Sequence, residues 1–240
     1  MRASSILPLL FPLAIFAACA SQQPPPNFDE EAWLERVNNA DPSLLYGLHQ
    51  NEEGNYFNPW MPRSLERRKG RHGFFFREKM SFEEFPEELY GPVENNYDYL
   101  ADPAFNSFSF FGHASFIIKI DGVTILTDPF FSKRALIIGK KVKNPIDFSK
   151  LPRQPIVLIS HNHYDHLDAW TVKRLIKKDS VFIVPMGLKD FFVKKGAKEV
   201  YELDWWQKVT IGTIQYTLLP AQHWSRRIGQ AGGRTLWGSF

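Results

Sequence analysis

Ser160-His161-Asn162-His163-Tyr164-Asp165-His166-Leu167-Asp168 is the stretch from which the fold can be read. It follows an apolar run, Ile156-Val157-Leu158-Ile159, and precedes a helix-like segment that begins near Ala169. Three of the seven histidines of the chain fall between positions 161 and 166, a density that chance explains poorly. Imidazole and carboxylate suit zinc and other first-row divalent metals. His161 and His163 are two residues apart, so in an extended segment they point the same way and can share one ion. Asp165 and His166 come after the chain has begun to turn, and they can face a second ion. In two-metal hydrolases the ions sit roughly 3.5–4 Å apart, and a zinc ion lowers the pKa of its water to about 7. The competing reading is a His-rich surface loop with adventitious metal affinity. The strand before the loop and the helix after it weigh against that.

Working outward, short strands begin near Ser107. Residues 108–111 and 114–120 are β-rich and are separated by Gly112-His113. Asp121-Gly122 is a hairpin signal between two apolar runs. The next strand, 123–127, ends at Asp128-Pro129. A carboxylate at that strand end can accept a hydrogen bond from a ligand imidazole and fix its tautomer, although Asp before Pro is also a common turn. His113 either lies near such a site or closes a turn. Residues 133–143 read as a cationic loop. Beyond the metal loop, Asp168 is placed as N-cap of a helix over 169–178, with Leu167, Trp170, Val172 and Leu175 inward. A strand over 181–184, a helix over 188–195 stopped by Gly196, and a strand over 200–203 follow. A hairpin about Gly212 joins 209–211 to 213–219. This is an α/β (α+β) rhythm. The last strand delivers His223, in the same context as His161, and it reads as the third imidazole on the first ion rather than a lone loop histidine. Arg226 and Arg227 follow, and guanidinium suits phosphate, though a surface role is equally open.

The front of the chain has a different character. An apolar run from Ile6 to Ala18 is too short to span a bilayer, which needs about 20 residues. It ends in Phe16-Ala17-Ala18-Cys19, which resembles a bacterial lipoprotein signal, with cleavage before a lipidated Cys19. Phe16 stands where leucine is usual. Cys19 is the one cysteine, so no intramolecular disulfide is possible. Ala20 resembles outer-membrane sorting, with the protein facing the periplasm. An ordinary secretory signal with a chance cysteine is the alternative. The expected organisation is a signal over 1–18, a Pro-rich tether and short helix over 19–50, an extension over 51–106 and a domain carrying the His-rich loop over 107–240. The basic run Arg63 to Arg71 is a solvated face or a contact with anionic head groups. Net charge is +3, too small to argue for nucleic acid, and there is no Gly-rich phosphate loop.

The His-x-His-x-Asp-His loop resembles the metallo-β-lactamase superfamily of binuclear metal hydrolases. Added to it are Asn58-Pro59-Trp60, Gly112 to Ser115, Thr127 to Pro129, Gln222 to Arg227 and Arg234-Thr235-Leu236-Trp237-Gly238. The combination resembles the N-acyl-phosphatidylethanolamine-hydrolysing phospholipase D family in its bacterial form. That resemblance implies an αβ/βα sandwich and two zinc ions. It implies hydrolysis of a phospholipid phosphodiester to phosphatidate and an N-acylethanolamine. His161, His163 and His223 would bind one ion. Asp165 and His166 would be both ligands of the other ion and catalytic. Asp128 and His113 would stand behind the ligands, and Arg226 and Arg227 would meet phosphate. Family members continue into a Gly-Asp-Thr strand whose Asp bridges both metals, and later supply another His. The 240 residues therefore read as the N-terminal part of a longer enzyme, with weak zinc binding, little turnover and one apolar sheet face left open. The runners-up are a lactonase or lactamase of the same fold, and a non-catalytic lipoprotein remnant.

Overall fold

The computed structural model describes residues 31, 35, 49–58, 97–135, 138–139 and 146–240. The expected signal, Cys19, the proline tether and the basic run at 63–71 lie outside the described residues. Of the short helix expected near position 30, only Glu31 and Glu35 are described, and both are helical.

Three antiparallel strands open the sheet: β1 (Ser107–Gly112), β2 (Ser115–Ile120) and β3 (Val123–Thr127). The turn between β2 and β3 is Asp121-Gly122, with φ of 49° and 76°. Two central residues with positive φ are what a two-residue hairpin asks for, and Asp-Gly supplies them cheaply. The chain then makes a small ribbon of β4 (Arg134–Ala135) and β5 (Ile138–Gly139), where only a loop was expected. Beyond it, β6 (Ile156–Leu158), β7 (Val181–Pro185) and β8 (Glu199–Leu203) add in parallel. The six-stranded order is β1-β2-β3-β6-β7-β8. The hairpin β9 (Lys208–Ile211) and β10 (Ile214–Thr217) turns at Gly212, as the sequence predicts. Among the described residues, no helix is long and apolar enough to cross a membrane.

Two helices make the parallel crossovers. α1 (Ala169–Ile176) is capped by Asp168, whose Oδ1 accepts from the Trp170 N–H at 3.1 Å. The helix is shorter than predicted, because the chain turns at Lys177. Leu167, Val172 and Leu175 are buried as expected, but Trp170 is 49% exposed. The helix phase explains this: Val172 and Leu175 are three apart and share a face, whereas Trp170 falls with Arg174, four residues on. The Arg174 guanidinium lies 4.6 Å from the Trp170 ring, outside the core. α2 (Lys189–Val193) ends as Gly196 takes φ 93°. There the Ala197 N–H closes back on the Phe192 carbonyl.

One face of the sheet packs Ile117, Leu126, Val157 and Phe182 against Val172 and Leu175 of α1 and Phe192 of α2. The other face was expected to be open. Over the central strands it is not: Ile125, Ile156, Leu158 and Ile183 lie under Trp205, Tyr216, Leu218, Leu236 and Trp237. The segment after β10 closes this face through its backbone, with Gly238 N–H donating to Ser160 O at 2.9 Å and a Leu219–Ser239 bridge. A Cβ at Gly238 would stand 2.6 Å from the Leu219 carbonyl oxygen, so this approach needs glycine. The expectation survives only at the edge, where Phe108 and Phe110 of β1 are 66% and 59% exposed. Residues 49–58 also dock here. His49 is buried and pairs with Asp204 at 2.7 Å, a structural role.

Candidate metal centre

The site gathers at the carboxyl ends of β3 and β6. Strand β6 ends at Leu158, and the backbone runs on irregularly through Ser160 to Leu167 before α1 begins. Helix α1 fixes the far end of this loop, and Arg227 steadies it: one Nη donates to the Leu167 carbonyl at 2.9 Å, and the guanidinium stacks 4.2 Å from the Tyr164 ring centre. Arg227, expected to meet phosphate, is thus engaged in holding the metal loop.

Three imidazoles converge. His161 Nε2 lies 2.8 Å from His163 Nδ1 and 2.9 Å from His223 Nε2, and the last two are 3.2 Å apart. His223 is 62 residues from His161 and arrives on the segment after β10. Asn58 holds it, donating from Nδ2 to the His223 carbonyl while its Oδ1 accepts from Trp237 Nε1 at 3.2 Å. Asn58 belongs to the sequence motif, yet reading the sequence assigned it no task. A side chain bridging position 223 to position 237 leaves no local periodicity to find.

The protons on His161 and His166 are directed away from the convergence points. Asp128 is buried at the end of β3 with φ 37°. Its Oδ1 accepts from the Ser160 N–H at 2.7 Å, and its Oδ2 accepts from the Ser160 hydroxyl at 2.5 Å and from His166 Nδ1 at 2.8 Å. Having given its own proton to the carboxylate, the Ser160 hydroxyl accepts from His161 Nδ1 at 2.8 Å. A neutral imidazole has one N–H, so His161 and His166 both keep a lone pair on Nε2. Ser160 is a member of the site that the sequence reading missed. Its only sequence signal is its place directly before His161.

Burial pushes the pKa of His163 down to about 4, with His223 adding to the effect. His161 and His223 are also lowered, by burial first and then by His166. At neutral pH these rings are uncharged donors. Unfolded, they would protonate near 6.5, so between about 4 and 6.5 the unfolded chain binds more protons and stability rises with pH. The metal-free protein is therefore expected to lose thermal stability as pH falls through that window, and His163→Gln is expected to flatten the slope. Equal slopes in the two proteins would show that His163 is not the group responsible.

A second cluster lies beside the first, with the His161 and His166 ring centres 4.0 Å apart. His166 Nε2 and Asp165 Oδ2 are 4.0 Å apart, and His113 Nε2 lies 3.1 Å from the former and 3.0 Å from the latter. All the residues that the sequence grouped at the site thus stand in or beside these clusters, except the two arginines, which follow His223 on its loop. His161 Nε2 offers a lone pair, and His163 Nδ1 and His223 Nε2 lie within 3.2 Å of it and of each other, a spacing at which three imidazoles can share one ion. The donor set therefore fits a first-row divalent ion.

A family model described as a Beta-lactamase superfamily domain matches residues 107–238. An uncharacterized protein of Mycobacterium tuberculosis is 33% identical over 157 residues, 62% of this chain and 42% of its own length. The mitochondrial N-acyl-phosphatidylethanolamine-hydrolyzing phospholipase D of Saccharomyces cerevisiae is 36% identical over 129 residues, 50% of this chain and 28% of the yeast protein. The chain thus spans less than half the length of these relatives. A solved metallo hydrolase from Ignicoccus hospitalis covers 52% of each chain at 20% identity and a TM-score of 0.40.

Proposed function

This chain belongs to the Beta-lactamase superfamily, and from that premise we propose that it is a metal-dependent hydrolase of phospholipid phosphodiesters. We propose N-acyl-phosphatidylethanolamine-type lipids as the substrate class and zinc as the metal. The observation that carries the hydrolase reading is the convergence of His161 Nε2, His163 Nδ1 and His223 Nε2, with the His161 proton directed away to Ser160. The lipid specificity is supported by the yeast relative and by the family resemblance of the sequence motifs around the site.

His161, His163 and His223 would hold one ion, and Asp165 and His166 a second. A bound divalent ion supplies Lewis acidity and a water of lowered pKa, about 7 at zinc. The chain's own residues set the geometry for this. Asp128 and Ser160 lock two rings in the tautomer that leaves Nε2 free. The Asn58 contact and the β10 end place His223. Arg226, which follows His223 on its loop, would face the phosphate, while Arg227 holds the metal loop through Leu167 and Tyr164. Cys19, lipidated, would keep the protein on the periplasmic face of an outer membrane, beside its substrate.

The test is direct. The zinc-loaded protein is given an N-acyl-phosphatidylethanolamine, a lactone and a β-lactam in parallel. Slow, chelator-sensitive release of phosphatidate is expected from the lipid alone, and Cys19→Ser is expected to free the chain from membranes. Lactone or lactam turnover without phosphodiester turnover would replace this reading with the corresponding hydrolase.

A further inference from the structure

His113 lies in neither the loop of imidazoles nor the strand end that carries His223. It occupies the two-residue turn between β1 and β2, with the left-handed φ of 51°. Non-glycine residues in that region cost energy, and they cluster where a side chain must be aimed. Here the turn is fastened to the end of β3. Ser115 Oγ donates to the Asp128 carbonyl at 2.7 Å, and Thr127 Oγ1 donates to the Ala114 carbonyl at 3.1 Å. The Phe130 N–H donates to the same Ser115 hydroxyl at 3.2 Å. Gly112-His113-Ala114-Ser115 and Thr127-Asp128-Pro129 are therefore one physical unit. One end of it orients His166 through Asp128, and the other carries His113 to the opposite edge of the same ring.

We propose that His113 Nε2 is a metal ligand, and that with Asp165 Oδ2 and His166 Nε2 it completes a second three-donor site. The inference deepens the hydrolase reading and rests on it. The separations among the three atoms are 3.0, 3.1 and 4.0 Å. Ligand atoms about 2.0–2.2 Å from a common ion stand roughly 3–3.5 Å apart, so the two edges at His113 match and the His166–Asp165 edge must shorten when an ion binds. His166 cannot be the donor to His113, because its one proton lies on Nδ1, toward Asp128. Asp165 accepts only. The side chains of His113 and Asp165 are both about half exposed, so an ion can reach the three atoms from solvent.

A hydrogen bond from His113 to Asp165 is the rival role, and His113→Asn separates the two. Asn tolerates the left-handed backbone and keeps an N–H donor, but it offers no imidazole lone pair. The full chain and its variant are titrated with Co(II), followed by visible absorption and by bound-metal analysis after gel filtration. The expected result is two ions in the parent chain, and in His113→Asn one ion at parental affinity with the second weakened at least about tenfold. Two ions held by His113→Asn at parental affinity would overturn the ligand assignment and leave the hydrolase reading intact. A parent chain that binds one ion, with an identical variant, would do the same. A parent chain that binds none would overturn both.

Discussion

Asp128→Asn is expected to weaken metal binding at both imidazole clusters together, by about 10–100-fold at each. Asn tolerates the φ of 37° at this position, so the backbone is kept and only the hydrogen bonding changes. Its one oxygen can still accept from the Ser160 N–H. Its amide nitrogen then replaces Oδ2, which took the His166 Nδ1 proton and the Ser160 hydroxyl proton. An N–H facing His166 Nδ1 drives the ring proton onto Nε2, the atom meant for the ion. The Ser160 hydroxyl loses its acceptor, and with it the fixed tautomer of His161. The same carboxylate-to-amide change disables catalytic triads by imposing the wrong tautomer. Isothermal titration with zinc reads the effect, with Asp98→Asn, a change in an exposed Lys150 pair, as the control. Parental affinity in Asp128→Asn would mean that the carboxylate does not govern the ring protons.

The second large effect lies in the core. Trp237→Ala is expected to cost about 3–5 kcal/mol, the usual range for removing a fully buried large aromatic residue. For a chain of this size that is a fall of roughly 6–20 °C in unfolding midpoint. Trp237 is fully buried, and its indole N–H donates to the Ala221 carbonyl at 2.9 Å and to Asn58 Oδ1 at 3.2 Å. Its own carbonyl accepts from Trp205 Nε1 at 2.5 Å. Ala221 is two residues before His223, and Asn58 holds the His223 carbonyl, so the loss should reach the first cluster as weaker zinc binding. Trp237→Phe keeps a ring and removes only the N–H, which separates packing from hydrogen bonding. A midpoint in Trp237→Ala indistinguishable from that of the parent in thermal denaturation would show that this face is not part of the cooperative core.

Much of this protein is written locally. The turn at Asp121-Gly122, the Asp168 cap, the Gly196 stop and the Gly212 hairpin follow from backbone preferences that depend on a few neighbours. The His161 to His166 loop declares its chemistry because its donors are adjacent in sequence. Where the local reading failed, it failed on phase and on contact. Trp170 was assigned inward because an apolar residue in an amphipathic helix invites that assignment. A one-residue change in helix phase rotates a side chain by about 100°, and only the packed sheet fixes the phase. Covering of the second sheet face was not foreseen, because the covering residues, from Trp205 to Trp237, lie in loops and a short ribbon with little periodicity.

The sequence by itself determined the order of the main-sheet strands and the two crossover helices, the α/β rhythm and the residues that carry the donors. The tertiary structure alone decided which donors meet. It brings His223 across 62 residues to His161, sets Asp128 against His166 directly and against His161 through Ser160, and swings His113 from a β-turn into the second cluster. The physical reason is that backbone conformation is a short-range property, whereas lone pairs converge only after strand register and parallel pairing have fixed where each strand ends.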